Sequence, residues 1–233
     1  MSDKNNKTSA AQDPEAAIEN ALSQTEAFFE KNCKAIVSAV AVAVVIVGAY
    51  FAYEGLYSAP RAKKAAAMMF AAEQLFGQQE YQTALEGDGS TAGFLEVIEK
   101  YGSTPQGNIA KHYAGICYLK NGDLDNALAY LAKYKSTDGI PNQIINAQNI
   151  GLQGDVYVQK GDLKKAIEMY GKAVKSSDND FTAPYYLKKL GTAQLAAGNA
   201  AEAVKSYKTI ADKYPSSMEA RDIEKYIGVA EQK

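Results

Sequence analysis

The sequence is poor in the residues that build catalytic and metal centres. It has one histidine, His112, and two cysteines, Cys33 and Cys117, among 233 residues. A single histidine excludes a His-rich metal site, and a serine triad would have to use it without a G-x-S-x-G turn. The cysteines are separated by a long apolar segment and by part of a domain, so a disulfide framework is excluded. We expect no enzyme activity, no cofactor and no metal, and we expect Cys117 to be a small core residue.

An excess of charge of one sign is also lacking. The 25 basic residues nearly balance the 27 acidic ones, for a formal net charge of −2. A surface that binds nucleic acid needs a basic excess, so nucleic acid is not an expected partner. The one short basic cluster, Arg61 to Lys64, follows the apolar segment and is suited to lipid headgroups.

The sequence does contain one long uncharged run, Ala35 to Tyr53 (AIVSAVAVAVVIVGAYFAY). As a helix it reaches about 28 Å, which matches the hydrocarbon thickness of a bilayer. Val and Ile on every face leave no polar stripe, which argues against a core helix. A long preceding segment and the lack of an A-x-A site after the run argue against a cleaved signal peptide. We therefore predict a membrane anchor over residues 35–53.

The segments before the anchor are more polar. Residues 1–13 lack apolar periodicity, and we expect them to be disordered. Residues 14–34 begin with a proline after Asp13, which is typical of a capped helix start, and they predict a short amphipathic helix. This helix either lies on the membrane, docks on a partner or is a solvated lead-in to the anchor.

Two features of the anchor concern its neighbours and its orientation. Ala35, Ala39 and Ala43 recur every four residues, a spacing of small residues that allows another helix to pack closely in lipid. Basic residues flank the run almost equally on its two sides, so charge does not decide which end faces the cytoplasm.

After the anchor, one pattern occurs three times, in Leu119–Leu128, Val158–Ile167 and Leu195–Val204. Each copy has a glycine, then Asp or Asn, then an alanine four positions later. The glycine predicts a left-handed end to one helix, and the polar residue after it predicts a cap on the next helix. These pairs are Gly122 with Asp123, Gly161 with Asp162, and Gly198 with Asn199. Glu202 places the last cap close to a capping box.

The three units resemble the tetratricopeptide repeat, which places small residues and aromatics at fixed offsets in two paired helices. The third unit carries Leu190-Gly191, Gly198, Ala203, Tyr207 and Pro215 at these offsets. With the predicted anchor, the resemblance implies an all-α protein: a single N-terminal transmembrane helix followed by a tetratricopeptide-repeat α-solenoid. We expect a helical extension and degenerate first repeat over 54–105, three repeats over 106–215 and a C-terminal capping helix over 216–233.

A stack of such repeats lines a concave groove with the first helix of each unit. Relatives that clamp a C-terminal carboxylate use Lys and Asn there, and this chain departs from that pattern. Its mixed apolar lining is better suited to a helix or an unfolded segment. The residues predicted to face the groove are Ile109, His112, Ile116, Leu119, Gln148, Gly151, Asp155, Val158, Tyr185, Lys188, Thr192 and Leu195.

The order of parts is similar to the YfgM-like family, ancillary subunits of the SecYEG translocon, particularly its Bacteroidetes versions. The residues that carry this likeness are Glu19–Ser23, Phe94–Gly102, Lys111–Gly115 and Asn179–Pro184. The resemblance implies a bacterial inner-membrane protein with one span and with its C-terminal domain in the periplasm.

The same resemblance implies protein partners: the SecYEG translocon, a membrane-anchored peptidyl-prolyl isomerase or emerging polypeptides. The expected function is a non-catalytic scaffold that assists translocon-linked periplasmic chaperones. The alternatives are an adaptor in envelope assembly or cell division, and a tetratricopeptide scaffold that faces the cytoplasm.

Overall fold

A computed structural model describes residues 14–233. The predicted disordered tail over residues 1–13, including the Asp13 cap, lies outside this range. The described residues form helices joined by turns and contain no β-sheet, with a single bridge between Gly87 and Ala92. The all-α prediction is confirmed. The chain divides into two compact units, one ending at Ser58 and the other beginning at Ala59.

The first unit consists of one long helix, α1 (Pro14–Tyr53), and a π-helical turn over Glu54–Ser58. The predicted amphipathic segment and the predicted anchor are thus parts of one helix. The apolar side chains of the anchor are exposed, as Val45 and Phe51 illustrate. By length and composition this is the one stretch among the described residues that is apolar enough to cross a membrane, and none of it is buried.

The second unit is a succession of helices in which each helix packs against the next. Its helices are α2 (Ala59–Gly77), α3 (Tyr81–Glu86), α4 (Phe94–Tyr101), α5 (Pro105–Lys120), α6 (Leu124–Lys133), α7 (Ile140–Gln159), α8 (Leu163–Ser176), α9 (Thr182–Ala196), α10 (Ala200–Lys213) and α11 (Ile223–Glu231). A 3₁₀ turn, Glu219–Asp222, precedes α11.

The turns inside the three helix pairs follow the sequence pattern. Gly122, Gly161 and Gly198 have φ angles of 84°, 76° and 82°, so the predicted left-handed helix ends are confirmed. Asp123 and Asp162 each accept a hydrogen bond from a backbone N–H three residues later, at 3.1 Å, which confirms both caps. The pattern therefore sets the start of α6 and of α8.

The third predicted cap is wrong. Asn199 makes no side-chain capping hydrogen bond, although its backbone carbonyl accepts from Ala203 N and starts α10 at the expected residue. The Glu202 carboxylate pairs with Lys205 at 2.7 Å and does not complete a capping box. The ion-pair partner of Glu202 thus lies on its own helix, three residues ahead.

Glycine and aromatic positions of the pattern meet where the paired helices touch. A Cβ atom added to Gly191 on α9 would lie 2.5 Å from Cε1 of Tyr207 on α10, and one added to Gly154 would lie 2.6 Å from Cε1 of Tyr170. No real side chain fits at such a distance. The helices of these two repeats can therefore pack this closely only because glycine has no side chain.

The leading unit contains one short helix. Residues 81–86 form a short helix, α3, because Ala84 and Leu85 are buried with Phe94 in the core shared by α2, α4 and α5. The glycine-rich segment that follows α3 contains a hydrogen-bonded turn. In this turn Asp88 Oδ1 accepts from the backbone N–H groups of Ser90 and Thr91.

Candidate protein-binding groove

The predicted groove residues differ in how exposed their side chains are in the structure. Gln148, Val158, Tyr185 and Thr192 are exposed, and Asp155 and Lys188 are half-buried beside them. Ile109, Leu119 and Leu195 are half-buried and pack against core clusters. His112, Ile116 and Gly151 are buried.

The expectation that His112 and Ile116 line an open groove is wrong. His112 is only 3% exposed and Ile116 only 8%. The amide Nδ2 of Asn149, on α7, donates to His112 Nδ1 at 3.1 Å, and the Tyr134 ring lies 5.8 Å from the imidazole. The connection from α6 to α7 is tied to α5 by Asn108, whose side chain bonds the Lys135 backbone twice. Asn149 and Tyr134 together therefore cover His112 on α5.

His112 is therefore a buried structural residue. Burial lowers its pKa to about 4, so the imidazole is neutral at neutral pH. A neutral imidazole can accept the Asn149 hydrogen bond at Nδ1, and Asn149 Oδ1 in turn accepts from Gln153 Nε2 at 3.1 Å. The side chains form a small polar network between α5 and α7.

Gly151 also departs from the expectation of a groove residue. The ring of Tyr186, on α9, lies directly over its α-carbon, so that a Cβ there would overlap Tyr186 Cε1. Gly151 therefore lets α9 approach α7 and presents no side chain to a partner.

The remaining open positions lie around two adjoining pockets on α7, α9 and the 3₁₀ turn. We call the first the apolar pocket. Its volume is about 380 Å³, and it contains three predicted groove residues. It is lined by Ile144, Gln148, Leu152, Asp155, Asp180, Phe181, Thr182, Tyr185, Tyr186, Met218 and Glu219.

We call the second the lysine pocket. Its volume is about 500 Å³, and it contains four predicted groove residues. Tyr185 and Glu219 line both pockets, so the two are neighbours on one surface. The lysine pocket is lined by Val158, Leu163, Tyr170, Tyr185, Lys188, Lys189, Thr192, Ala193, Ala196, Glu219 and Tyr226.

A charged pair joins the repeats between the two pockets. Lys189 Nζ lies 2.7 Å from Asp155 Oδ1, which also accepts from Tyr170 Oη at 2.6 Å. Burial opposes the charge on Lys189, but the Asp155 carboxylate outweighs it and raises the Lys189 pKa. Burial and then this carboxylate raise the pKa of Tyr170. The negative charge of Asp155 is thus already paired with Lys189 of the same chain.

Lys188 is held in a similar way at the outer edge of the lysine pocket. Its Nζ lies 2.7 Å from Asp222 Oδ1 and 4.3 Å from the centroid of the Tyr226 ring. This pair ties α9 to the C-terminal turn.

Sequence reasoning did not predict fourteen of the residues that line the two pockets, among them Ile144, Leu152, Asp180, Phe181, Lys189, Met218 and Glu219. Ile144 and Leu152 lie four residues on either side of Gln148, so helical spacing could have found them. Lys189 lies 34 residues after Asp155, one usual repeat length on. Phe181 and Met218 stand just outside helices, where no periodicity marks them.

Chemically, the surface offers apolar and charged contacts. No group of three or more His, Cys, Asp or Glu residues that could hold a metal ion occurs within the described range. Cys117 is buried in the core, as predicted, and burial raises its pKa to about 12.

Comparisons with known proteins agree with this helical architecture. Two tetratricopeptide-repeat models match residues 110–137 and 152–217. A search of curated proteins finds no match.

Two crystal structures are similar in fold. One contains nearly identical TPR-like repeats of a Podosopora anserina protein described as a kinesin light chain. It has 15% identity and a TM-score of 0.55, over 73% of this chain and 87% of that one. The other is the MamA protein, with 16% identity and a TM-score of 0.50, over 72% and 90% of the two chains.

At such identities the likeness concerns the fold alone. The repeat matches indicate a scaffold for protein–protein interactions. The chain is therefore all-α, with a helical solenoid of tetratricopeptide-repeat type that follows a candidate membrane span.

Proposed function

We propose that this chain is a non-catalytic, membrane-anchored scaffold that binds a protein partner in the groove formed by the apolar pocket and the lysine pocket. The observation that carries the proposal is the exposure of large apolar side chains around these pockets. Tyr185, Phe181 and Met218 are exposed there, whereas the equivalent surface on α5 is closed. Exposed apolar residues that gather on one concave surface are typical of binding sites.

The finer proposal concerns location and partner. We propose that the span lies in a bacterial inner membrane with the repeats in the periplasm. There the groove would serve the SecYEG translocon, a membrane-anchored peptidyl-prolyl isomerase or emerging polypeptides. The order of parts described for the sequence supports this proposal. Ala35, Ala39 and Ala43 on α1 would allow the span to pack beside another membrane helix.

Protease accessibility in intact spheroplasts tests the location. Digestion of the repeats from outside, with a cytoplasmic control protein left intact, is the expected result. Protection until lysis would contradict the periplasmic location and favour a scaffold that faces the cytoplasm.

Affinity purification from detergent-solubilised membranes tests the partner. We expect SecYEG or the isomerase to copurify with the full chain. Localisation at the division site without SecYEG would instead favour the adaptor in envelope assembly or cell division.

A further inference from the structure

We propose that the apolar pocket recognises a short segment in which large apolar side chains stand next to Lys or Arg. This inference rests on the proposed function, because it specifies the chemistry of the segment that the groove binds. Two independent properties of the pocket carry it: its apolar rim and its uncompensated negative charge.

The rim of the apolar pocket consists of apolar side chains that remain largely exposed to solvent. Phe181 and Met218 are 72% and 73% exposed, and Tyr185 and Ile144 are 43% and 38% exposed. All four line the same pocket. The bodies of such side chains become buried when a partner inserts an apolar group between them, and the loss of water contact favours binding.

The charge at the same pocket is negative and unpaired. Asp180 and Glu219 line it, and the structure, over the residues it describes, shows neither carboxylate in an ion pair. The contrast is with Asp155 and Asp222, which Lys189 and Lys188 neutralise. A ligand that approaches the pocket therefore meets two free carboxylates, which favour a basic ligand.

The volume of the apolar pocket limits the size of the group that it can bind. A pocket of about 380 Å³ lies near the lower end of the range that proteins use for small ligands. It has room for one or two large side chains, so the occupant is a short apolar anchor with basic neighbours. Each exposed ion pair at the rim is weak, so the two carboxylates favour a basic over an acidic segment mainly through the sum of attraction and repulsion at low salt.

The test uses the full chain in phosphatidylcholine nanodiscs and three fluorescein-labelled octapeptides. The first has a central Leu-Phe pair flanked by lysines, the second replaces the lysines with glutamates, and the third replaces Leu-Phe with two alanines. At about 50 mM salt we expect the first peptide to bind about tenfold more tightly than the second. We expect the third to bind at least about tenfold more weakly than the first. Empty nanodiscs supply the background.

Two pairs of substitutions locate the binding. The variant with Phe181→Ser and Met218→Ser should weaken binding of the first peptide about tenfold. The variant with Asp180→Asn and Glu219→Gln should lower the preference for lysine over glutamate to about twofold. These side chains lie at the rim, and circular dichroism checks that each variant is folded.

Matched controls lie elsewhere on the second unit. Phe70→Ser removes another exposed apolar side chain, and Asp212→Asn removes another exposed carboxylate. Neither should change peptide affinity. Equal binding of the lysine and glutamate peptides overturns the inference, as does binding that the pocket variants leave unchanged. Absence of binding at millimolar peptide also overturns it.

Failure of this inference is distinguishable from failure of the proposed function. A photo-crosslinker at Thr192, in the lysine pocket, reports partner contact without any assumption about the apolar pocket. If Thr192 crosslinks a partner but the peptides do not bind, the peptide chemistry alone is wrong. If neither occurs, the groove itself is not a binding surface.

Discussion

The inner faces of α5 and α9 occupy equivalent places in two repeats, yet one is closed and the other is open. His112 and Ile116 on α5 correspond in register to Lys188 and Thr192 on α9. The first two are buried, whereas Thr192 is exposed and Lys188 is half-buried at a pocket. At His112 the difference arises from Asn149 on α7 and from Tyr134 at the start of the connection after α6, which both lie against the imidazole. Repeat register thus determines where a side chain lies along the solenoid, and contacts from neighbouring segments determine whether a partner can reach it.

The largest expected effect comes from disturbing the helix pair behind the open face. Gly191→Val would force a branched side chain against the buried Tyr207 ring, at a cost of about 3 kcal/mol in the free energy of unfolding. Urea denaturation of the full chain in detergent, followed by circular dichroism, measures it.

Gly171→Ala on α8 is the matched control, because no atom lies within 4 Å of the added Cβ. Alanine also favours a helix over glycine by about 0.5–1 kcal/mol, so this variant should be slightly more stable. Equal losses in the two variants would contradict the close packing of α9 on α10.

The closed face should respond to pH through His112. Its pKa is about 4 in the folded chain against a usual 6.5, so the unfolded chain binds the proton more readily between these values. Stability is therefore full above about pH 6.5 and falls as the pH drops towards 4. From pH 7 to pH 4.5 we expect a loss of about 2 kcal/mol from this group.

Carboxylates also titrate between pH 7 and pH 4.5, so wild type is compared with His112→Gln to separate the stability loss due to His112 from theirs. Glutamine does not titrate, so the difference in unfolding free energy between the two proteins should change by about 2 kcal/mol over this pH range. A difference that stays constant with pH would mean that the imidazole is accessible to protons in the folded chain.

A smaller loss of stability is expected when either of the two ion pairs of the open face is removed. Asp155→Asn removes the carboxylate that holds both Lys189 and Tyr170, and should cost about 1.5 kcal/mol. Asp222→Asn removes the more exposed partner of Lys188, and should cost less than Asp155→Asn because solvent weakens an exposed ion pair. Thermal unfolding of both variants at low and high salt checks which loss of stability is larger. A larger loss for Asp222→Asn would contradict this prediction.

The parts of the fold that sequence reasoning predicted depend on local rules. Gly122 and Asp123 predict a turn from the residue types alone, and composition alone predicts the apolar run of α1. Where the local rule had a competitor, as when Glu202 bonded Lys205 instead of completing a cap, the prediction failed.

The candidate site was less predictable, because its exposure depends on residues distant in sequence. The cover over His112 comes from Asn149, 37 residues later on another helix. The rim of the apolar pocket comes from Phe181 and Met218, which lie just outside helices and follow no period. Repeat register identified Tyr185 and Gln148 as groove residues, but the closure of the groove over α5 required the structure.

The central claim is that partners bind the open groove and not the outer surface of the solenoid. A photo-crosslinking amino acid at Thr192 in the groove and, separately, at the exposed Lys164 on α8 tests it in intact cells. Our account predicts a discrete partner adduct from Thr192 and none from Lys164. Adducts from Lys164 alone, or equally from both positions, would contradict it.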